Sequence, residues 1–373
     1  MKIEIKEVNT KKGLKAFVKF PFTLYQDCPQ WVPPIIKDEL NTLDKKKNPV
    51  FNNAEAKFYL AYKNNEIVGR IAAIINWVEV KEQKKAKVRF GWFDTVNDIE
   101  VTRALLDTVV TFGKQHQLEY LEGPVGFSNL DKAGMLVHGF NELNTMITLY
   151  NYDYYHKHLE ELGFKKQAEW VEFKIQLDNK IKDKVIKFSK LIKKKFSLDI
   201  IQFKSSKEII PYVDEMFDLL NKTYSSLQTY VPIQQYQIDH YKEKYINFIH
   251  PEFVICIKDA TGRLIAFAIT MPSFSKALKK VNGKLFPLGF RHILKAQKKN
   301  DTACFYLIGI SPEYQGKGVT SIIFLEMAKT FKKFGITNLE TNPELEENKA
   351  VQALWSDYDP QLHKRRRTYR KNI

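Results

Sequence analysis

The chain has 373 residues, of which 44% are hydrophobic and 27% are charged, and its formal net charge is +16. This composition excludes intrinsic disorder, and the length predicts two domains. No apolar run approaches the roughly 18 residues that a membrane-spanning helix needs, and the amino-terminal segment lacks the apolar core of a signal peptide. We therefore expect a cytoplasmic protein. Its three cysteines lie far apart in the sequence, so we expect neither a disulfide framework nor a structural zinc site.

The positive charge comes mostly from lysine, since the chain has 50 Lys and 9 Arg. Such a balance attracts anionic membranes, anionic cofactors or nucleic acid. Proteins that bind nucleic acid phosphates favour Arg, whose guanidinium group donates two parallel hydrogen bonds. We therefore do not expect this Lys-rich chain to bind nucleic acid. The basic residues concentrate in Lys45–Lys47, Lys81–Lys87, Lys180–Lys195, Lys276–Lys299 and His363–Lys371.

In the first half, Ile3–Val8 alternates apolar and charged residues and predicts a strand. Lys57–Tyr62 and Glu66–Trp77 predict a hairpin, because the Asn64-Asn65 pair between them favours positive φ. Apolar spacing then predicts a helix over Glu100–Gln115, and Gly163 suits the end of a helix over Tyr154–Leu162. The remaining strands of this half are predicted at Arg89–Asp94, Leu118–Leu121 and Trp170–Leu177.

In the second half, a Lys-rich connecting helix is predicted over Asn179–Lys195, and the same order of elements then starts again. Strands are predicted at Leu198–Phe203, Phe253–Lys258, Leu264–Thr270, Ala303–Ile310 and Asn338–Thr341, and helices at Lys207–Tyr224, Gly318–Phe334 and Glu347–Trp355. We therefore predict two domains, residues 1–178 and 179–373. Each is a mixed α/β (α+β) fold, whose mostly antiparallel twisted sheet is flanked by helices.

The sharpest local signal is the segment Ile308–Thr320, in which a strand ends at a proline, a turn follows and a helix begins. Gly316 and Gly318 allow backbone N–H groups to approach a ligand closely, and a helix N-terminus adds unsatisfied donors. This arrangement suits a pyrophosphate. The spacing is neither that of a Walker A loop nor that of a dinucleotide-binding loop.

The segment resembles the acyl-CoA loop of the GNAT superfamily of N-acyltransferases, which reads [Q/R]xxGx[G/A]. The matching residues are Gln315, Gly316, Lys317, Gly318 and Val319, while Thr320 departs from the final Gly/Ala. The resemblance implies that the loop amides hold the pyrophosphate of acetyl-CoA or a longer acyl-CoA, and that a backbone N–H of Gly309 or Ile310 meets the acyl oxygen. It also implies that Asn348, in the next helix, lines the cofactor site.

Segments spread over the whole chain are similar to a poorly characterised bacterial subfamily with two GNAT-like folds in tandem. They are Trp31–Pro34, Gly69–Ala73, Phe90–Asp94, Glu122–Ser128, Leu162–Phe164 and Tyr369–Lys371. In the first half, Asp94–Glu100 stands where a pyrophosphate loop is expected and contains no glycine. We therefore expect residues 1–178 to have lost CoA binding and to serve structure or acceptor recognition.

Acyl transfer to an amine requires a base for the amine and benefits from an acid for the departing thiolate. Glu340, at the end of a predicted strand, is our candidate base. The family's usual tyrosine acid is replaced here by Trp355, so Tyr358, one turn further, is our candidate acid. The acidic run Glu344, Glu346 and Glu347 either holds an amine or is a solvated loop. The histidines are isolated, so no metal site is expected.

An apolar patch at Phe286–Phe290, with Ile293 and Leu294, is flanked by lysines and forms an insertion between two predicted strands. It predicts either a covering helix or a surface that touches anionic lipid or a long acyl chain. In the second case the protein would be peripheral to the inner membrane face.

We predict an acyl-CoA-dependent N-acyltransferase with a small-molecule amine acceptor. The alternatives are a lipid-amine (long-chain base) N-acyltransferase, a tandem-GNAT-type transferase that uses aminoacyl-tRNA, and a non-catalytic CoA-binding module. The sequence leaves the acceptor, the acyl length and the oligomeric state open.

Overall fold

The computed structural model describes residues 2–128, 130–178, 181, 183–225, 230–246 and 249–373. By its internal contacts the chain divides into two compact units. Unit 1 comprises Met1–Val171, Ser275–His292 and His363–Ile373, and unit 2 comprises Glu172–Phe274 and Ile293–Leu362. By contacts, two segments that follow residue 178 group with unit 1, and the division into domains of residues 1–178 and 179–373 stays a prediction.

The strands of the described chain are β1 (Ile3–Glu7), β2 (Ala54–Lys63), β3 (Glu66–Asn76), β4 (Lys87–Thr95), β5 (Tyr120–Gly123), β6 (Met135–His138), β7 (Lys165–Gln176), β8 (Asp199–Ile201), β9 (Val254–Lys258), β10 (Leu264–Pro272), β11 (Thr302–Ile310), β12 (Asn338–Thr341), β13 (Glu344–Leu345) and β14 (Gln361–Asn372). The α-helices are α1 (Lys11–Leu24), α2 (Ile36–Thr42), α3 (Ile99–Gln115), α4 (Tyr154–Glu161), α5 (Asp183–Lys195), α6 (Val213–Tyr224), α7 (Gln235–Tyr245), α8 (Ser275–Val281), α9 (Phe290–Lys298), α10 (Val319–Phe334) and α11 (Lys349–Gln352). No helix in these ranges has both the length and the apolar character needed to cross a bilayer.

In unit 1, β1, β2, β3 and β4 pair antiparallel in that order. Strand β5 then joins parallel to β4, and β14 pairs antiparallel with β5. Helix α3 covers one face of this sheet with Val101, Leu105 and Val109, which are fully buried. A helix must lie between β4 and β5 because a parallel pair needs a crossover connection.

The predicted hairpin is confirmed by β2 and β3. Asn64 and Asn65 have φ of 54° and 65°, which is the geometry of the two-residue turn that matches strand twist. Asparagine tolerates this left-handed region better than most residues. The local sequence therefore determines the turn and the pairing of Lys63 with Glu66, whereas a bulge between Ala61 and Tyr62 shifts the register farther along the strands.

In unit 2, β8, β9, β10 and β11 pair antiparallel in that order, and β12 joins parallel to β11. The last part of β7 pairs antiparallel with β12. Helix α10 makes the crossover and buries Val319, Ile322 and Ile323. Both units thus repeat one plan, and the predicted mixed, mostly antiparallel sheet with flanking helices is confirmed in each.

The C-terminal strand β14 was missed by the sequence analysis, which treated His363–Lys371 as a basic cluster. Lys364 and Arg366 in this strand are 1% and 0% exposed. Arg366 donates to Asn144 Oδ1 at 3.1 Å and to the carbonyl of Leu149. Partners far away in sequence thus allow basic residues to be buried.

Three predicted helices differ from the structure. The helix predicted over Lys207–Tyr224 begins as a 3₁₀ helix at Ser206–Tyr212 and becomes α6 only at Val213. The connecting helix predicted over Asn179–Lys195 is α5, and residues 179, 180 and 182 lie outside the described residues. The helix predicted over Glu347–Trp355 is short, because α11 passes into a 3₁₀ helix at Ala353–Tyr358.

Candidate active site

Strands β11 and β12 pair only at the start of β11. Their parallel register runs from Thr302 opposite Asn338 to Phe305 opposite Thr341, whereas β11 continues to Ile310. On its other side β11 stays paired with β10, and Tyr306 is the extra residue of a bulge in that ladder. Bulges bend a strand away from its neighbour. Beyond Phe305, β11 therefore has an edge that β12 does not cover, which we call the open edge.

The open edge is identified by three alternate carbonyls of β11, each of which accepts from a side chain. Asn342 Nδ2 donates to Tyr306, Tyr224 Oη donates to Ile308 at 2.9 Å, and Gln315 Nε2 donates to Ile310 at 3.0 Å. In an antiparallel ladder the N–H and C=O groups of one residue point to the same side. The N–H groups of Ile308 and Ile310 therefore face this edge too.

Gly309 faces the other side of β11. Ser311 N donates to Ile265 O at 2.8 Å, so these two residues form a hydrogen-bonded pair of the ladder. Such pairs recur at every second residue, and Gly309 and Phe267 therefore form one too. A Cβ at residue 309 would lie 2.7 Å from the Phe267 ring. Of the two backbone donors implied by the resemblance, the structure thus brings Ile310 to the open edge, while Gly309 gives room to a neighbouring ring.

The loop between β11 and α10 is held by backbone hydrogen bonds that leave several amides free. Tyr314 N donates to Ser311 O at 2.8 Å and Lys317 N donates to Tyr314 O at 3.3 Å. Gly316 and Gly318 have φ of +71° and +83°, so glycine is needed at both. Within the described chain, no acceptor receives the N–H groups of residues 316, 318, 319 and 320.

The N-terminus of α10 has no anion of its own. Its N-cap is Gly318, which has no side chain to cap the helix, and its first turn contains no acidic residue. A helix N-terminus carries partial positive charge as well as unsatisfied donors. The 16-residue helix α10 therefore offers its amides to an external anion.

The equivalent place in unit 1 is already filled. The N-cap of α3 is Asp98, whose carboxylate accepts from Glu100 N at 3.0 Å and from Lys63 Nζ at 2.8 Å. At the end of β4, Thr95 N donates to Tyr155 Oη at 3.0 Å, and Tyr154 Oη donates to Thr95 O at 2.7 Å. Both the helix terminus and the strand end thus have partners within unit 1.

Glu344 has an unusual environment beside the open edge. Trp355 Nε1 donates to its Oε1 at 2.6 Å, and its Oε2 is buried with no hydrogen-bond partner among the described residues. Burial raises the pKa of Glu344 to about 7, although hydrogen bonds with Trp355 and Thr341 lower it. Burial and the charge of Glu344 raise the pKa of Tyr224 to about 12. The charge of Glu344 therefore acts on Tyr224, whose hydroxyl in turn donates to the carbonyl of Ile308.

In the sequence, Glu344 is distinguished only as a member of an acidic run with Glu346 and Glu347. Its special character depends on Trp355, eleven residues later, and on the divergence of β11 from β12. Trp355, taken alone, indicates that the family's tyrosine acid is replaced, and the sequence does not show that its indole contacts Glu344. Trp355 is 2% exposed and positions the carboxylate instead.

The other predicted site residues lie in more ordinary surroundings. Glu340 is a half-buried residue of β12 between Cys304 and Lys174 in register. Asn348 caps α11, since its Oδ1 accepts from Val351 N at 3.3 Å. Tyr358 is 37% exposed and its ring packs on Phe324 with centroids 6.0 Å apart. In the part of the chain that is described, no three His, Cys, Asp or Glu residues form a group that could hold a metal.

Comparisons with known proteins concern the chain as a whole. No family model matches the chain. It is 26% identical to Protein YghO of Escherichia coli over 97% of this chain and 94% of that protein. It is 22% identical to the bacterial ceramide synthase of Caulobacter vibrioides over 98% of this chain and 96% of that protein.

Among solved structures, a tandem GNAT protein from the clavulanic acid biosynthesis pathway superposes with a TM-score of 0.57. The match covers 100% of this chain and 98% of that one, at 10% sequence identity. This likeness concerns the fold, and it confirms the predicted architecture of two GNAT-type units in tandem.

Proposed function

We propose that this chain, which has the tandem GNAT fold, is an N-acyltransferase that moves an acyl group from acyl-CoA to an amine in unit 2. One observation carries the proposal: the open edge of β11 leads directly into a glycine turn and the uncapped N-terminus of α10. The N–H groups that Ile308 and Ile310 present on this edge, together with the free amides of the helix terminus, suit an extended ligand with an anionic end.

The donor would be held in two places. The free amides of residues 316, 318, 319 and 320 would donate to its diphosphate, and each charge-assisted hydrogen bond contributes about 1.5–3 kcal/mol. The amide-containing arm would lie along the open edge, where Ile308 and Ile310 present N–H groups. Unit 1 would not bind a donor, because Asp98 places a carboxylate where the diphosphate would need to bind.

For the chemical step we propose Glu344 as the base, in preference to Glu340. A carboxylate with a pKa of about 7 is matched to proton transfer near neutral pH. It would take a proton from the amine as the nitrogen attacks the thioester carbonyl. The C–N bond forms, the C–S bond breaks and the thiolate leaves. The N–H of Ile310 would stabilise the developing oxyanion.

The departing thiolate would be protonated by Tyr224 rather than Tyr358. The Tyr224 hydroxyl already lies on the open edge, where it donates to Ile308 O at 2.9 Å. Tyr358 instead packs against Phe324 on α10.

A long-chain amine is the acceptor that we favour over a small one. The supporting observation is the relative from Caulobacter vibrioides, a bacterial ceramide synthase, which aligns with 98% of this chain. A ceramide is an N-acylated long-chain base, so its synthesis is the same bond-forming step on a lipid amine.

Donor binding can be tested by thermal denaturation with acetyl-CoA, palmitoyl-CoA, free CoA and tRNA. A ligand at 100 times its Kd stabilises the folded state by about 2.7 kcal/mol. We expect stabilisation by acyl-CoA and none by tRNA. Stabilisation by tRNA alone would instead favour an aminoacyl-tRNA donor. If neither free CoA nor any acyl-CoA raised the melting temperature, the proposed donor-binding site would be ruled out.

Transfer can be tested by measuring thiol release from acetyl-CoA and palmitoyl-CoA in the presence of long-chain bases or short primary amines. We expect amine-dependent release, with an N-acyl amide as the product in mass spectrometry. CoA binding without amine-dependent release would favour a non-catalytic CoA-binding module.

A further inference from the structure

An exposed apolar tip in unit 1 takes no part in the proposed reaction. It consists of Phe286, Leu288 and Phe290, which are 73%, 57% and 37% exposed. The rings of Phe286 and Phe290 lie 5.9 Å apart between centroids. Large apolar side chains grouped on a surface commonly mark an interaction site.

The tip is presented by a closed, well-anchored loop. Phe290 N donates to Leu285 O at 2.7 Å and His292 N donates to Gly289 O at 3.0 Å. Just before the loop, Gly283 O accepts from Ile36 N at 3.0 Å. A Cβ at Gly283 would lie 2.7 Å from the Phe22 ring, so the base of the loop packs closely on α1. The loop therefore holds the apolar side chains outward.

The surroundings of the tip are strongly basic. From Ser275 to Asn300 the chain contains seven Lys and one Arg and no acidic residue. In unit 1, the side chains of Lys276, Lys280, Lys284 and Arg291 are exposed. Apolar residues within a ring of cations are the pattern of surfaces that insert among anionic lipid head groups.

We propose that this tip docks the protein on an anionic lipid bilayer, with Phe286, Leu288 and Phe290 inserted at the head-group boundary and the basic residues against the lipid phosphates. A second copy of the chain is a poorer occupant, because two such basic surfaces would repel each other. The proposal goes beyond acyl transfer and does not depend on it.

Flotation with vesicles tests the proposal directly. The wild-type protein should float with vesicles of phosphatidylcholine mixed with phosphatidylglycerol and much less with pure phosphatidylcholine. Added salt should weaken this binding, since exposed charges are screened. Equal flotation with both vesicles, or none with either, would overturn the proposal.

Two sets of variants separate the apolar and basic contributions. The double variant Phe286→Ser/Leu288→Ser should bind anionic vesicles on the order of tenfold more weakly, and Lys280→Gln/Lys284→Gln should reduce the salt dependence. Leu191→Ser is the matched control, because Leu191 is a 60% exposed leucine outside this segment and its loss should leave flotation unchanged.

Thermal stability and catalytic turnover serve as internal controls for these variants. All these side chains are exposed, so thermal midpoints and turnover of a water-soluble amine should stay at wild-type values. Wild-type flotation by the double variant would exclude the tip as the membrane contact. If that variant instead changed the oligomeric state in gel filtration, the tip would be a subunit interface.

Discussion

The indole Nε1 of the buried Trp355 donates to Glu344 Oε1 across 2.6 Å, and the other carboxylate oxygen of the half-buried Glu344 is shielded from solvent. This hydrogen bond stabilises the ionised carboxylate, yet burial outweighs it and holds the pKa near 7. The carboxylate is thereby oriented without being neutralised by a cation. A base of this kind must be deprotonated to act. Its ionisation should therefore affect the pH dependence of both the free energy of unfolding and the rate of acyl transfer.

The contribution of Glu344 to folding stability should fall as the pH rises from 4.5 to 7. The folded state keeps the Glu344 proton over this range while the unfolded state releases it, so the free energy of unfolding decreases by about 3 kcal/mol. Chemical denaturation of wild type and Glu344→Gln across this range checks the prediction. The variant should lack this component, and identical pH slopes in the two proteins would contradict the raised pKa.

Glu344→Gln should lower kcat by about a hundredfold or more, which is the contribution of a positioned base. Its affinity for CoA should be unchanged, because the loop amides are untouched. The matched variant Glu340→Gln removes a carboxylate of the neighbouring strand and should retain a rate close to wild type. The reverse pattern would return the role of base to Glu340.

Tyr224→Phe should slow thiol release by about a hundredfold if its hydroxyl protonates the leaving group. The variant keeps the ring and loses only the donor to Ile308 O. Tyr358→Phe makes the same chemical change at an exposed position and should have no effect. A slow Tyr358→Phe enzyme beside a normal Tyr224→Phe enzyme would assign the acid to Tyr358.

Thr320→Asp should have opposite effects on stability and on donor binding. A carboxylate in the first turn of α10 stabilises the helix by about 0.3–1 kcal/mol, and it should repel a diphosphate from the same amides. Thermal midpoints with and without CoA measure both effects. The neutral control Thr320→Asn should keep the CoA response, whereas CoA stabilisation in Thr320→Asp would rule out the loop assignment.

Asp98→Ala should cost about 1 kcal/mol of stability, because α3 loses its N-cap. Asp98→Asn retains a capping oxygen and should cost little. Neither change should alter CoA affinity, since unit 1 is proposed to bind no donor. Weaker CoA binding in either variant would show that unit 1 contributes to the donor site.

Local signals were sufficient for much of the fold. The Asn64-Asn65 turn, the glycines that flank α10 and the apolar spacing of α3 depend on neighbouring residues alone, and the structure agrees with all of them. The predicted β12, Asn338–Thr341, has the observed bounds.

The remaining features depend on contacts between distant residues. Strand β14 contains the continuous basic run His363–Arg367, and nothing local shows that Arg365 and Arg367 pair with Glu169, at 2.7 Å in each case. The role of Glu344 likewise depends on a strand bulge at Tyr306 and on the position of Trp355. Burial of a charged group follows from its partners, and spacing in the sequence does not identify those partners.

The return of β14 to unit 1 has a consequence for synthesis. The sheet begun by residues 3–123 gains its strand beside β5 only when residues 361–372 leave the ribosome, after all of unit 2 has been made. Until then the edge of β5 presents unpaired backbone groups, which favour aggregation and chaperone binding. A fragment cut near residue 178 would keep that exposed edge permanently, so the first unit should be produced together with the second.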